Sequence, residues 1–193
     1  MVLSPQSLYK ESGYDHKPSL FGPSMTFESN ITNHSLYYSS NDFCQSADDA
    51  DSFFPSIEND GLLSPFILMI DRGGCTFVTK VRNAQNLGAT AVLIADNVCL
   101  CSDQECASED LSSCEEQSPI MADDGSGSDI RIPSFLLWKP GADLIKSELI
   151  NNNPVQLEIT FGLPTPSDRV EYELWTIPTN EVSTFNFISH LHC

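Results

Sequence analysis

The sequence is poor in basic residues: 9 Lys and Arg stand against 27 Asp and Glu, a formal net charge of -18. A surface of that sign repels phosphate backbones and anionic lipid, which argues against nucleic-acid binding and suits cations or basic segments of a partner. Long apolar runs are also missing. No window approaches the roughly 18 uninterrupted apolar residues of a membrane span, so no direct membrane insertion is expected. The start, Met1-Val2-Leu3-Ser4-Pro5, has neither the basic lead nor the apolar stretch of a secretory signal. It reads as the start of a cytosolic chain, or of one whose signal has been removed or is not included. The four histidines, His16, His34, His190 and His192, lie in weakly patterned ends. No Ser-His-Asp arrangement, phosphate-binding loop, HExxH pair or internal repeat occurs, so no catalytic residue and no cofactor is expected.

What is present is a 193-residue chain with 40% apolar residues, enough for one domain with a real core and a tail. Cysteine is abundant for a cytosolic protein, with seven at Cys44, Cys75, Cys99, Cys101, Cys106, Cys114 and Cys193. Two sequons, Asn30-Ile31-Thr32 and Asn33-His34-Ser35, stand close together. Cysteines and sequons together favour an oxidising setting, lumenal or extracellular, with Asn30 and Asn33 as glycosylation candidates.

The clearest pattern begins at Pro65. Phe66-Ile67-Leu68-Met69-Ile70 is a short continuous apolar run, as expected of a strand buried on both faces. Asp71-Arg72-Gly73-Gly74 is a turn. Phe77, Val81, Ala84 and Leu87 then recur at helical spacing, with Lys80, Arg82, Asn83 and Gln85 expected mostly on the solvent face. Gly88 stands where a left-handed C-terminal cap is wanted. Ala91-Val92-Leu93-Ile94-Ala95 completes a right-handed βαβ crossover.

Elsewhere, strands are expected near Val2–Leu3, Leu36–Tyr38, Ile132–Leu137 and Val155–Phe161, with a helix opening at Pro140-Gly141 and burying Ala142, Ile145 and Leu149. Residues 97–129 read as an insertion, with nine acids, no bases, four cysteines and the Gly125-Ser126-Gly127-Ser128 stretch. The domain is expected over residues 1–163, followed by an extension at 164–193 that holds one short alternating segment, 170–175.

In an α/β unit, ligands bind beyond the carboxyl ends of the strands, where loop meets helix. That place holds Arg72, Gly73, Gly74 and Cys75. Free N–H groups at a helix start, two open glycines and an Arg fork suit a carboxylate or peptide carbonyl. The same glycines also serve a simple tight turn, with Arg72 paired to Asp71 or another acid. Cys75 lacks a nearby histidine base, so a disulfide with Cys44 is the simpler reading than a nucleophile. Cys99, Cys101, Cys106 and Cys114 lack the paired knuckle spacing of a zinc site and read as two disulfides, in which Cys99 with Cys101 is the least compatible pair. Cys193 is the odd cysteine. The acid clusters at 48–51 and 103–110 have no calcium-loop spacing, and no metal site is expected.

Ile70-Asp71-Arg72-Gly73-Gly74-Cys75-Thr76-Phe77, with Lys80-Val81, Asn83-Ala84-Gln85, Gly88 to Ile94 and Ile132-Pro133-Ser134, resembles the protease-associated (PA) domain. The resemblance implies a mixed α/β fold: a swivelling, β-rich core of two sheets with flanking helices and one βαβ crossover, binding peptides without catalysis. Ser4-Pro5-Gln6-Ser7-Leu8 and the stretch Pro166 to Thr176 are similar to plant-type vacuolar sorting receptors. That narrower likeness implies a lumenal cargo-recognition head in the secretory and endosomal–vacuolar pathway, whose Arg-Gly-Asp-Cys loop contacts sorting peptides of soluble cargo, in a full-length protein anchored to the membrane. The loop falls on Arg72, Gly73, Gly74 and Cys75, with Gly74 where those receptors usually carry Asp. An accessory PA domain of a membrane RING ubiquitin ligase or of a protease is the alternative.

Overall fold

A computed structural model describes residues 2–23, 30–45, 52–57, 61–103 and 114–160, and the backbone of 171–176 and 185–190. Cys106, Cys193, the 48–51 acids, most of the 103–110 cluster and the 166–169 stretch lie outside the described residues. The chain divides into two compact units, Met1–Thr160 and Phe161–Cys193.

The first unit is mixed α/β. Its strands are β1 (Val2–Ser4), β2 (His16–Pro18), β3 (Ile31–Ser39), β4 (Phe53–Phe54), β5 (Phe66–Asp71), β6 (Ala91–Ala95), β7 (Ser134–Leu137) and β8 (Val155–Ile159). Hydrogen bonding joins all of them into one curled sheet, in the order β1-β8-β3-β5-β6-β7-β2, with β4 paired to β3 off this path. The centre is parallel: β3 with β5, β5 with β6, and β6 with β7. Both outer sides are antiparallel. The short β2 and β4 were not expected from the sequence.

Helix α1 (Phe77–Leu87) and helix α2 (Lys139–Ile150) each pack on a core built from one set of alternating strand residues. Phe66, Leu68, Ile70, Val92, Ile94 and Leu136 cluster with Val78, Val81 and Ala84 of α1. Ile67, Met69, Leu93, Phe135 and Leu137 cluster with Ala142, Ile145 and Leu149 of α2. The period of two within each strand sends neighbouring residues to opposite faces, so β5 and β6 need apolar residues at every position. Each fully buried Val, Leu or Ile stabilises the fold by about 1.5–3 kcal/mol relative to exposure.

Helix α1 starts where its sequence marks it. Thr76 is the N-cap, its side chain accepting from the Thr79 amide, and Gly88 closes the helix at φ 98°. Lys80 departs from the expected solvent face: it is fully buried, and its ammonium donates to the Asp42 carbonyl. It lies three residues after Phe77 and four before Ala84, so it shares the apolar stripe, and a backbone acceptor lies at its end.

In the second unit, β9 (Glu171–Thr176) is the alternating segment expected from sequence. It pairs antiparallel with β10 (Phe185–His190), which had no comparable signal.

Candidate functional site

Strands β5 and β6 run side by side, so their carboxyl ends, Asp71 and Ala95, lie together. The chain leaves β5 into Arg72, whose amide donates to the Ala95 carbonyl at 2.9 Å, and Asp96 follows β6 with its amide on the Leu137 carbonyl. Arg72 therefore stands at the sheet's carboxyl edge, its backbone still part of the ladder.

The guanidinium is clamped. Nη1 donates to Asp96 Oδ1 at 3.0 Å and to Glu115 Oε2 at 2.9 Å, and Nη2 donates to Glu115 Oε1 at 2.8 Å. The Asp96 side chain is 3% exposed, that of Arg72 22% and that of Glu115 33%. These bonds raise the Arg72 pKa, Glu115 first, while the hydrogen bond from Arg72 holds the Glu115 carboxyl below its ordinary value. Of the five guanidinium donors, three are used; no described residue accepts from Nε–H or from the second Nη2–H. Those two donors lie on one edge of the plane and are parallel, the geometry that a carboxylate or a pair of carbonyl oxygens matches. Arg72 thus pairs with acids, as one sequence reading allowed. The acids are Asp96 and Glu115, while Asp71 accepts from Tyr38 Oη at 2.7 Å and from Lys146 Nζ at 3.0 Å.

The turn is pinned from below. Cys75 forms a disulfide with Cys44. The Lys80 ammonium, beside the Asp42 carbonyl and 4.0 Å from Cys44 Sγ, and the Asn83 amide, donating to the Phe43 carbonyl at 2.8 Å, hold the 42–44 segment against α1. Burial lowers the Lys80 pKa, with Asp42 and Asp71 opposing. Gly73 and Gly74 both have positive φ, 113° and 80°. A Cβ on Gly73 meets nothing within 4 Å, whereas one on Gly74 falls 2.9 Å from both Asp42 Oδ2 and Cys44 Sγ. Gly74 is therefore a close-approach glycine.

In the insertion, Cys101 pairs with Cys114 and Cys99 is also in a disulfide. Among the described residues no group of His, Cys, Asp or Glu is arranged to hold a metal ion. A separate cavity of about 450 Å³, lined by Ser35, Leu36, Tyr37, Leu63 and Gln156 among others, takes no residue from the Arg72 turn. The two sequon asparagines, Asn30 and Asn33, are exposed at the start of β3. Glu115, Asp96 and Lys80 were missed by sequence reasoning. Only Lys80 carried a local signal, its place in the α1 stripe.

Fold and site together define a mixed α/β domain that presents a basic fork on a disulfide-pinned loop at the carboxyl ends of parallel strands. Residues 32–140 match the family model described as "PA domain", and the chain belongs to that family. It is 37% identical over 119 residues to vacuolar-sorting receptor 3 of Arabidopsis thaliana, covering 61% of this chain and 18% of that relative. It is 36% identical over 135 residues to vacuolar-sorting receptor 1 of Pisum sativum, covering 69% and 20%. A receptor homology region, transmembrane domain- and RING domain-containing protein 2 of Arabidopsis thaliana is 27% identical over 126 residues. The chain therefore spans about one fifth of the length of the curated relatives it matches. Among solved structures, an aminopeptidase from Aneurinibacillus sp. strain AM-1 overlays 76% of this chain and 27% of its own at 19% identity and TM-score 0.48, a likeness too loose to bear on function.

Proposed function

We propose that this domain is a non-catalytic cargo-recognition head, binding peptide segments of soluble proteins on the lumenal side of the secretory and vacuolar pathway. The observation that carries the reading is the open edge of Arg72: a clamped guanidinium with two parallel donors that no described residue uses. Asp96 and Glu115 together outweigh the single positive charge. The open edge therefore favours neutral carbonyl oxygens of a peptide chain over a further carboxylate, which both acids repel. Gly73 leaves space beside the loop for a peptide backbone.

The vacuolar-sorting receptors among the relatives support the sorting role, and the disulfides fit an oxidising compartment. Asn30 and Asn33, both exposed, are the proposed glycan positions. No described helix is long and apolar enough to cross a membrane; the proposed membrane attachment of the full-length protein rests on its likeness to the vacuolar-sorting receptors. The RING-domain relative supports a second reading, an accessory PA domain that presents partners to a ubiquitin ligase. A bead-displayed random dodecapeptide library, selected on the folded domain, tests the site. A selected peptide is expected to move the amide NMR signals of residues 72–76. Shifts confined to residues lining the cavity near Tyr37 and Leu63 would place the site elsewhere.

A further inference from the structure

We infer that Glu115, carried on the cysteine-rich insertion, is a positioning residue for the ligand fork of Arg72, which makes the insertion a working part of the site. The inference rests on the reading of Arg72 as the ligand contact. Asp96 reaches only Nη1, and one hydrogen bond leaves a planar group free to pivot about it. Glu115 accepts from both Nη1 and Nη2 and so fixes the plane of the guanidinium. With that edge occupied and the Nη1 bond to Asp96 made, the Nε–Nη2 edge is the one left to face a ligand.

Glu115 is itself held in place. Its amide donates to the Cys99 carbonyl at 2.8 Å, and its carbonyl accepts from the Cys101 amide at 2.9 Å, a parallel bridge beside Leu100. The neighbouring Cys114 is tied to Cys101 by a disulfide. The Asn97 side chain donates to the Arg72 carbonyl at 3.2 Å, joining the start of the insertion to the same turn. The bridge and disulfide thus hold the backbone on both sides of the carboxylate. A residue serving only as an intramolecular competitor would cover the fork that the ligand needs. Here it covers the other edge and leaves the ligand edge open, which is the arrangement of a support.

The test uses the peptide selected above, with calorimetric affinity for the wild type, Glu115→Gln, Glu115→Asp and Arg72→Lys. Freeing a previously fixed side chain weakens binding by about three- to tenfold, and that is the loss expected in Glu115→Gln. Glu115→Asp, which keeps the charge on a shorter stem, should fall in between. The discriminating signature is the set of Arg72 Nη–H NMR signals: resolved in the wild type because Asp96 and Glu115 hold them, and merged by rotation about the Cζ–N bonds in Glu115→Gln before any peptide is added. Unchanged or tighter binding by Glu115→Gln overturns the positioning role. If Arg72→Lys loses affinity while Glu115→Gln does not, only this inference falls. If Arg72→Lys binds as well as the wild type, the reading of the site falls with it. Should Glu115→Gln fail to fold, Glu115→Asp carries the comparison, and a wild-type Arg72 signal with wild-type affinity in that variant overturns the role.

Discussion

Replacing Gly74 is the most informative perturbation of the loop, because both its backbone conformation and its close neighbours demand a glycine there. The backbone there sits at φ 80°, and an L residue in the left-handed region costs roughly 1–2 kcal/mol. A Cβ added at Gly74 falls 2.9 Å from Cys44 Sγ and 2.9 Å from Asp42 Oδ2. The sulfur is held by the disulfide to Cys75 and cannot swing away. The Asp42 carboxylate can turn only by disturbing its own bond from the Cys44 amide, 2.9 Å to Oδ1. Overpacking of this kind costs about 1–3 kcal/mol. Gly74→Ala is therefore expected to lower the stability of the domain by roughly 2–5 kcal/mol. Gly74→Asp adds a second carboxylate next to Asp42, a repulsion of about 1 kcal/mol at a solvent-facing position. Equilibrium urea unfolding at low salt and at about 1 M salt, where screening acts over only about 3 Å, separates the contributions. The steric loss should persist in both, while the extra deficit of Gly74→Asp over Gly74→Ala shrinks at high salt. A Gly74→Ala variant as stable as the wild type, or an Asp deficit indifferent to salt, refutes the argument.

Lys80→Met keeps the bulk of the buried side chain but strands the Asp42 carbonyl; a loss of about 1–3 kcal/mol by urea unfolding is expected, and no loss would mean the buried ammonium is not the donor. The double variant Cys44→Ser and Cys75→Ser releases a sequence separation of 31 residues, and chain entropy sets the expected loss at about 3.7 kcal/mol, read from the same unfolding curves. Glu115 has a folded pKa below its ordinary value of 4.5 because it accepts from Arg72. Its contribution is present above pH 4.5 and is lost as pH falls through the lower folded value. Wild-type stability should therefore fall more steeply below pH 4.5 than that of Glu115→Gln, and parallel acid-unfolding curves would contradict the pairing. Thr76→Ala removes the N-cap of α1, with an expected cost of about 1 kcal/mol by thermal or urea unfolding.

The βαβ unit was readable because two uninterrupted apolar runs flank one amphipathic stretch, and Gly88 closes the helix where a positive φ is needed. The short strands were not. His16-Lys17-Pro18 is exposed throughout and contains a proline; it is a strand only because β7 offers it an edge. Such a strand takes its conformation from a neighbour more than 100 residues away, which local pattern does not register. Lys80 was misplaced for a different reason: charge alone suggested solvent, whereas its position in the helical repeat pointed inward. The position of the candidate loop followed from strand-end logic, but the state of Arg72 did not. Its partner Glu115 lies 43 residues downstream in a stretch without periodicity, so nothing in the sequence distinguishes it from the other acids of the insertion. The Cys101–Cys114 pairing has the same character, since chain geometry rather than spacing selects it.

Whether the open fork of Arg72 binds peptide is the point on which the function turns. Arg72→Ala is a poor probe, because it leaves Asp96 buried without its cation, a change that costs several kcal/mol of stability. Arg72→Lys retains a positive charge for Asp96 but has no planar pair of parallel donors. Calorimetric titration of a bead-selected dodecapeptide into the folded wild type and Arg72→Lys is the decisive comparison. Loss of one bidentate, charge-assisted contact predicts roughly a tenfold or greater drop in affinity for Arg72→Lys, with the amide shifts at residues 72–76 greatly reduced. Equal affinity in the two proteins, with both folded, would contradict the assignment of Arg72 as the peptide contact.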